Sequence, residues 1–331
     1  MTIRSAINST WQQTLADAVT NVHELLAAVG LTDHADELGA KTDSRFPLRV
    51  PRGFIARMRY GDPTDPLLRQ VLPSAAEDLA VPGFGPDPVG DLASERCSGL
   101  LQKYHGRALM ITTGACAVHC RYCFRRDYPY GDASVTHAKL DAVLEQVASD
   151  RSIRELILSG GDPLSLSDGR LRQLFGRISE IAHIERIRIH TRQPIVLPER
   201  IDANLCAILE NAPRPLILVT HCNHANEIDA SVAQALQRLG TCSQALLNQS
   251  VLLCGINDST QDLVDLSEKL FASGVLPYYL HQLDPVTGAA HFAVADDRAR
   301  QLVHEVAANL PGYLVPKLVR ELPGEAAKSP L

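Results

Sequence analysis

The stretch Arg107–Arg126, RALMITTGACAVHCRYCFRR, decides how the rest of the chain is read. It opens on an apolar, β-branched run, Ala108–Thr113, with the length and composition of a β-strand. A glycine then leads into Cys116, Cys120 and Cys123, three thiols within eight residues. Parallel α/β folds gather their functional groups at strand C-termini, so this layout points to an α/β protein with its chemistry in the loop that follows the strand.

Downstream the same rhythm recurs. Strands are expected at Glu155–Ser159, Arg186–Thr191, Leu216–His221, Ala245–Leu253 and Leu276–Leu283. Amphipathic stretches near 136–149, 168–182, 199–210, 227–239, 259–273 and 295–309 alternate with them and predict helices. Six β-then-α units in series imply parallel strands joined by right-handed crossovers. Periodicity alone leaves two architectures open, a doubly wound sheet and a complete or partial barrel. In either, the polar clusters fall at strand ends: Ser159–Asp162, His190–Gln193, His221–Glu227, Asn248–Ser250 and His281–Asp284.

Upstream the texture differs. Trp11–Val29 carries Leu15, Val19, Val22, Leu25 and Leu26 at helical spacing, and a proline-punctuated stretch from Pro47 to Pro88 follows. Residues 1–95 therefore read as a helical N-terminal domain plus connector, 96–310 as the α/β unit, and 311–331 as a C-terminal segment with a closing strand at Tyr313–Leu318. The chain has 331 residues, of which 45% are hydrophobic, enough for a full core. A net charge of −6 argues against a surface that coats nucleic acid. No apolar run approaches the roughly 18 residues of a membrane span, and the N-terminus lacks a signal-peptide layout, so a cytoplasmic location is expected. The 8 cysteines then read as thiols or metal ligands rather than a disulfide framework.

Three readings compete for the cysteine triad. The thiols could be free, or hold a structural zinc with His119 as fourth ligand, or hold an iron–sulfur cubane with one iron left open. The spacing Cys116-x₃-Cys120-Arg121-Tyr122-Cys123 resembles that of radical S-adenosylmethionine (SAM) enzymes. That resemblance implies a partial (β/α)₆ barrel, a 4Fe-4S cluster on the three cysteines and SAM on the open iron. Ser159, Gly160, Gly161 and Asp162, followed by Pro163, look like the glycine-rich motif that contacts the methionine part of SAM. Taken alone, Gly-Gly-Asp-Pro is only a turn signal.

From about Phe46 to Leu331 the chain further resembles the lysine 2,3-aminomutase family. The likeness runs through Lys103–Arg107, Cys123–Arg126, His221–Glu227, Asn248–Leu253 and Gly288–Phe292. The sequence ends soon after Lys328, which points to the short-tailed branch, the elongation factor P (R)-β-lysine synthases. By this resemblance Lys328 carries pyridoxal 5'-phosphate, although Glu325-Ala326-Ala327 departs from the family's glycine-rich approach. Tyr104 and Arg107 match residues that hold this cofactor's phosphate and ring, and His221 and Gln249 match residues that line its pocket. Arg125 matches the arginine for the substrate carboxylate. Asp284 matches one aspartate for the distal ammonium, and Glu321 stands where a second aspartate is usual.

The implied activity is conversion of L-α-lysine to (R)-β-lysine, with a flavodoxin-like or ferredoxin-like one-electron reductase as donor. Elongation factor P and its lysine ligase are the further partners implied; no nucleic acid or membrane is. An aminomutase for another amino acid, such as glutamate, is a rival reading that two acidic pocket residues oppose. A non-catalytic iron–sulfur or zinc protein is the other.

Overall fold

The computed structural model describes residues 10–130 and 137–331. Ten strands form one sheet in chain order. They are β1 (Glu95–Cys97), β2 (Leu100–Leu101), β3 (Arg107–Thr113), β4 (Glu155–Gly160), β5 (Arg186–Thr191), β6 (Leu216–His221), β7 (Ala245–Val251), β8 (Leu276–His281), β9 (Lys317–Arg320) and β10 (Ser329–Pro330). From β3 to β9 every neighbouring pair is parallel, while β1, β2 and β10 add antiparallel margins.

This order settles the architecture. Successive right-handed crossovers without a reversal put every helix on one face, whereas a doubly wound sheet needs a reversal and a switch point. The sheet must curl with its helices outside, and the first and last strands do not pair. The fold is the expected partial barrel.

The helices start where side-chain caps satisfy their free N–H groups. Ser167, Asp202, Asp229 and Ser259 cap Asp168–Ser179, Ala203–Glu210, Ala230–Thr241 and Thr260–Ala272. Within Ala230–Thr241, Val232, Ala235, Leu236 and Leu239 are buried at helical spacing. Each large apolar side chain of this kind contributes about 1.5–3 kcal/mol. Helices His137–Ser149 and Asp296–Asn309 complete the outer layer; the expected start at 136 lies outside the described residues.

Strand faces differ in wetness. In β5, Ile187, Ile189 and Thr191 are buried under the helices, while Arg188 and His190 on the opposite, inner face are half-buried. In β7, Leu246, Asn248 and Ser250 are buried and Gln249 faces the other way. The lumen is thus lined with polar groups.

Several boundaries differ from expectation. Trp11–Val29 forms two helices, Trp11–Ala16 and Val22–Ala28, because Val19 bridges to Val50 and Asn21 caps the second helix. The last parallel strand is Lys317–Arg320 rather than Tyr313–Leu318, since Gly312–Leu314 makes a 3₁₀ turn and Pro316 precedes the strand. β10 was not foreseen; it folds back on β9 with Ser329 opposite Arg320, which returns Lys328 to the barrel. Trp11, Leu25, Phe54 and Leu67 of the N-terminal region join one apolar cluster with β3, β4 and β5. Among the described residues no helix is long and apolar enough to cross a membrane.

Candidate active site

The cysteine loop is clamped from two sides. On the barrel side Gly161 N–H donates to Thr113 O (2.6 Å) and Asp162 N–H to Ala115 O (2.8 Å). A Cβ on Gly161 would lie 2.4 Å from Ala115 O, and Gly160 adopts φ +113° with Thr113 O 2.8 Å from where its Cβ would be. Both positions therefore require glycine. On the N-terminal side His119 N–H donates to Arg49 O (3.0 Å) and Arg121 N–H to Gln70 O (2.9 Å). The Arg121 side chain is fully buried and grips Glu77, Phe46 O and Ser44 Oγ. Arg126 reaches the same Glu77 at 2.6 Å.

All three cysteines are free and half-buried. Burial raises the Cys116 thiol well above its usual range, with Asp162, Cys123 and Cys120 adding to it. Burial and then Cys120 push Cys123 up to about 11. Burial thus disfavours the thiolate forms of Cys116 and Cys123, and a bound metal would supply the positive charge that stabilises them. Among the described residues no three His, Cys, Asp or Glu side chains converge on a single ion site. A cubane makes no such demand, because each thiolate holds a different iron. His119 is committed elsewhere: Nδ1 lies 2.8 Å from Pro47 O and the ring stacks on Phe46. The donor set fits an iron–sulfur cluster and not the zinc site with His119.

Behind Cys120 lies a buried polar network absent from the sequence reading. Arg192 points Nη1 at Cys120 Sγ and donates Nη2–H to Gln70 Oε1 (2.6 Å) and Glu227 Oε2 (2.9 Å). Tyr122 OH meets Gln70 Oε1 (3.2 Å) and His221 Nε2 (2.9 Å), and accepts from Asn223 Nδ2 (2.7 Å). Burial, then the Arg192 charge, lower His221 to about 3, so its ring is neutral. Gln249 sits opposite His221 in the ladder. Asp162 accepts from Thr191 Oγ1 and from the N–H groups of Leu164, Arg192 and Gln193. Its carboxylate thus fixes the end of β5 and is committed there, while Gly160 and Gly161 are half-buried and Ser159 is buried beside Arg125.

The mouth of the lumen holds the ionic groups. Arg125 donates Nε–H to Asp91 Oδ2 (2.6 Å) and Nη1–H to Ser159 Oγ (3.3 Å). Lys103 bridges Asp91 (2.6 Å) and Glu321 (2.8 Å). Lys328 Nζ lies 3.0 Å from Glu321 Oε2, 3.5 Å from His281 Nε2 and 5.6 Å from the Tyr279 ring centroid. Burial alone would raise Glu321, but Lys328 and Lys103 outweigh it and hold the carboxyl at about 2. Asp284 is the opposite case: burial, then Glu321, push it up to about 7, and its buried Oδ1 has no hydrogen-bond partner among the described residues. Arg107 lies over the Tyr104 ring at 4.5 Å and makes no side-chain hydrogen bond among the described residues, so its donors are available to a phosphate. Lys328 turned inward, with an unengaged guanidinium nearby on β3, fits pyridoxal phosphate. Gly160 and Gly161 bring the end of β4 into backbone contact with the cysteine loop, so SAM held at a cluster there would lie against that strand end.

The fold therefore brings Lys328, Glu321, Asp284 and Tyr104 to one mouth, and Arg125 links that mouth to Ser159 and the cysteine loop. Asp91, Glu77, Arg192, His190 and His281 were missed as site residues. The histidines had a signal, their place at strand ends, whereas Asp91 and Glu77 lie in the connector with no motif around them.

Known proteins resemble this chain in sequence. Residues 110–212 match the Radical SAM superfamily model. An L-lysine 2,3-aminomutase of Escherichia coli (strain K12) is 47% identical over 100% of this chain and 97% of that protein. One from Haemophilus influenzae is 42% identical over 96% of this chain and 94% of that protein. One from Clostridium subterminale is 31% identical over 97% of this chain and 77% of that protein.

Proposed function

The chain belongs to the lysine 2,3-aminomutase family of radical SAM enzymes, and we propose that it isomerises L-α-lysine to β-lysine. The observation that carries this reading is the pairing at the mouth: Lys328 faces inward on Glu321 beside Asp284, whose buried Oδ1 has no hydrogen-bond partner among the described residues. When bound, the cluster with SAM supplies a 5′-deoxyadenosyl radical and pyridoxal phosphate supplies a ring that delocalises the unpaired electron during migration of the amine.

The protein's own task is placement. Cys116, Cys120 and Cys123 would hold the cluster, and Ser159, Gly160 and Gly161 would lie beside SAM at the strand end that meets the cysteine loop. Lys328 would carry pyridoxal phosphate, with Arg107 and Tyr104 at its phosphate and His221 and Gln249 along the pocket. Arg125 would take the substrate carboxylate. Asp284 and Glu321 would take the distal ammonium, and two carboxylates offset its desolvation better than one. Held at both ends, lysine presents C3 at a fixed point, which converts an encounter into an oriented reaction. Since cleavage of SAM consumes an electron, a one-electron reductase is required. Elongation factor P and its ligase as partners rest on the resemblance to the short-tailed branch alone.

The test is anaerobic incubation of the reconstituted protein with lysine, SAM and dithionite, followed by chiral chromatography. β-Lysine, expected as the (R) form, is the supporting result. Unchanged lysine from protein loaded with cluster and pyridoxal phosphate refutes the activity.

A further inference from the structure

His190 is a half-buried side chain whose ring nitrogen Nε2 has an unmet need. It is the penultimate residue of β5, on the inner face, and its Nε2 is buried with no hydrogen-bond partner among the described residues. Buried polar atoms in native folds are almost always satisfied, so an orphan facing a binding lumen marks the place of a ligand atom. The sheet register says which atom. Leu158 pairs with Ile189, which sets Ser159 and His190, one residue further on, side by side on the inner face. Parallel neighbours stand about 4.8 Å apart. Ser159 Oγ is where Arg125 Nη1 rests at 3.3 Å, so the imidazole lies next to the guanidinium.

Arg125 has two of its five N–H groups already engaged. Its Nε is taken by Asp91 and its Nη1 by Ser159, and among the described residues only Nη2 makes no bond. A carboxylate arriving there meets Nη2, and its roughly four lone-pair sites leave room for a further donor. Arg188, Lys328 and Arg125 surround His190 with positive charge that, after burial, is the main reason its ring stays neutral, and Glu321 only partly opposes this. An acceptor with negative charge is the partner such surroundings favour.

We propose that His190 is a specificity residue for the α-carboxylate of the substrate, its Nε2–H donating to one oxygen while Arg125 Nη2–H donates to the other. The inference rests on the aminomutase reading and deepens it. It makes recognition of the carboxylate a joint property of the cysteine loop and β5.

The experiment compares lysine with cadaverine, which has both amines and no carboxylate. Protein loaded with pyridoxal phosphate, without SAM or reductant, is titrated calorimetrically with each ligand as wild type, His190→Ala and His190→Gln. A hydrogen bond to a charged group predicts that His190→Ala raises the lysine Kd about 10- to 100-fold. Cadaverine affinity should be unchanged, and His190→Gln, whose Nε2 can still donate, should recover part of the loss. Equal lysine affinity in His190→Ala and wild type overturns the proposal. So does a parallel loss for both ligands, since the effect would not be the carboxylate's. Wild-type protein that turns over lysine while either of these holds leaves the aminomutase reading standing; failure of wild type to bind lysine removes both.

Discussion

Asp284 ties substrate affinity to pH in a way that can be worked out in advance. Its carboxyl stands at about 7 against an ordinary 3.8, because burial and the neighbouring Glu321 disfavour its charge. The lysine ammonium binds the carboxylate and not the acid. If binding restores an ordinary value, the apparent Kd scales as one plus the ratio of protonated to ionised Asp284. That factor is about 11 at pH 6 and about 1.1 at pH 8, a roughly tenfold weakening worth ~1.4 kcal/mol. Asp284→Asn should lose this contribution and bind lysine at least about tenfold more weakly at pH 8. Calorimetric titration of the pyridoxal-phosphate-loaded protein, without SAM, measures both; protons on lysine itself cancel between wild type and variant. Stability gives a second readout. A carboxyl raised in the fold holds its proton after the unfolded chain has lost it, so stability falls as pH climbs from 3.8 towards about 7. The gap corresponds to ~4 kcal/mol. Ligand-free Asp284→Asn should therefore melt higher than wild type at pH 8 in urea. Parallel pH slopes for lysine binding in the two proteins would refute the reasoning.

Cys120→Ala should abolish the visible absorbance of the reconstituted cluster and all turnover, while far-ultraviolet circular dichroism stays that of the wild type. Lys328→Ala should lose the visible absorbance of lysine-bound pyridoxal phosphate; an unchanged band would move the anchor elsewhere. Glu77→Gln leaves the buried Arg121 and Arg126 without their shared counter-charge, and urea unfolding should show a loss of about 3–5 kcal/mol. Gly161→Ala should lower iron content per chain, because its Cβ has no room beside Ala115 O; full iron loading would show that the loop gives way freely.

The barrel was legible because its signals are local. Each strand from β3 to β8 is a short run of apolar or alternating apolar and polar residues, most helices repeat their apolar positions at helical spacing, and the polar clusters fall at strand ends. Chain-order pairing was not legible, since periodicity says nothing of neighbours, and it alone separated barrel from doubly wound sheet. The thiols could be read for the same local reason, being close in sequence. Asp91 and Glu77 could not, because they meet Arg125 and Arg121 across 34 and 44 residues. β10 was invisible as well: two residues ending in proline carry no strand pattern. Lys328 was read only through resemblance, and the returning hairpin supplies the physical reason for its place.

An unclosed barrel leaves two free margins, the usual starting points for self-association of β-proteins. Here the outermost strands are Glu95–Cys97 and Ser329–Pro330, three and two residues long, and the second includes a proline that has no N–H to offer. Neither is long enough to template another chain. The lumen can thus remain open along one side for bulky cofactors without the molecule acquiring a sticky seam.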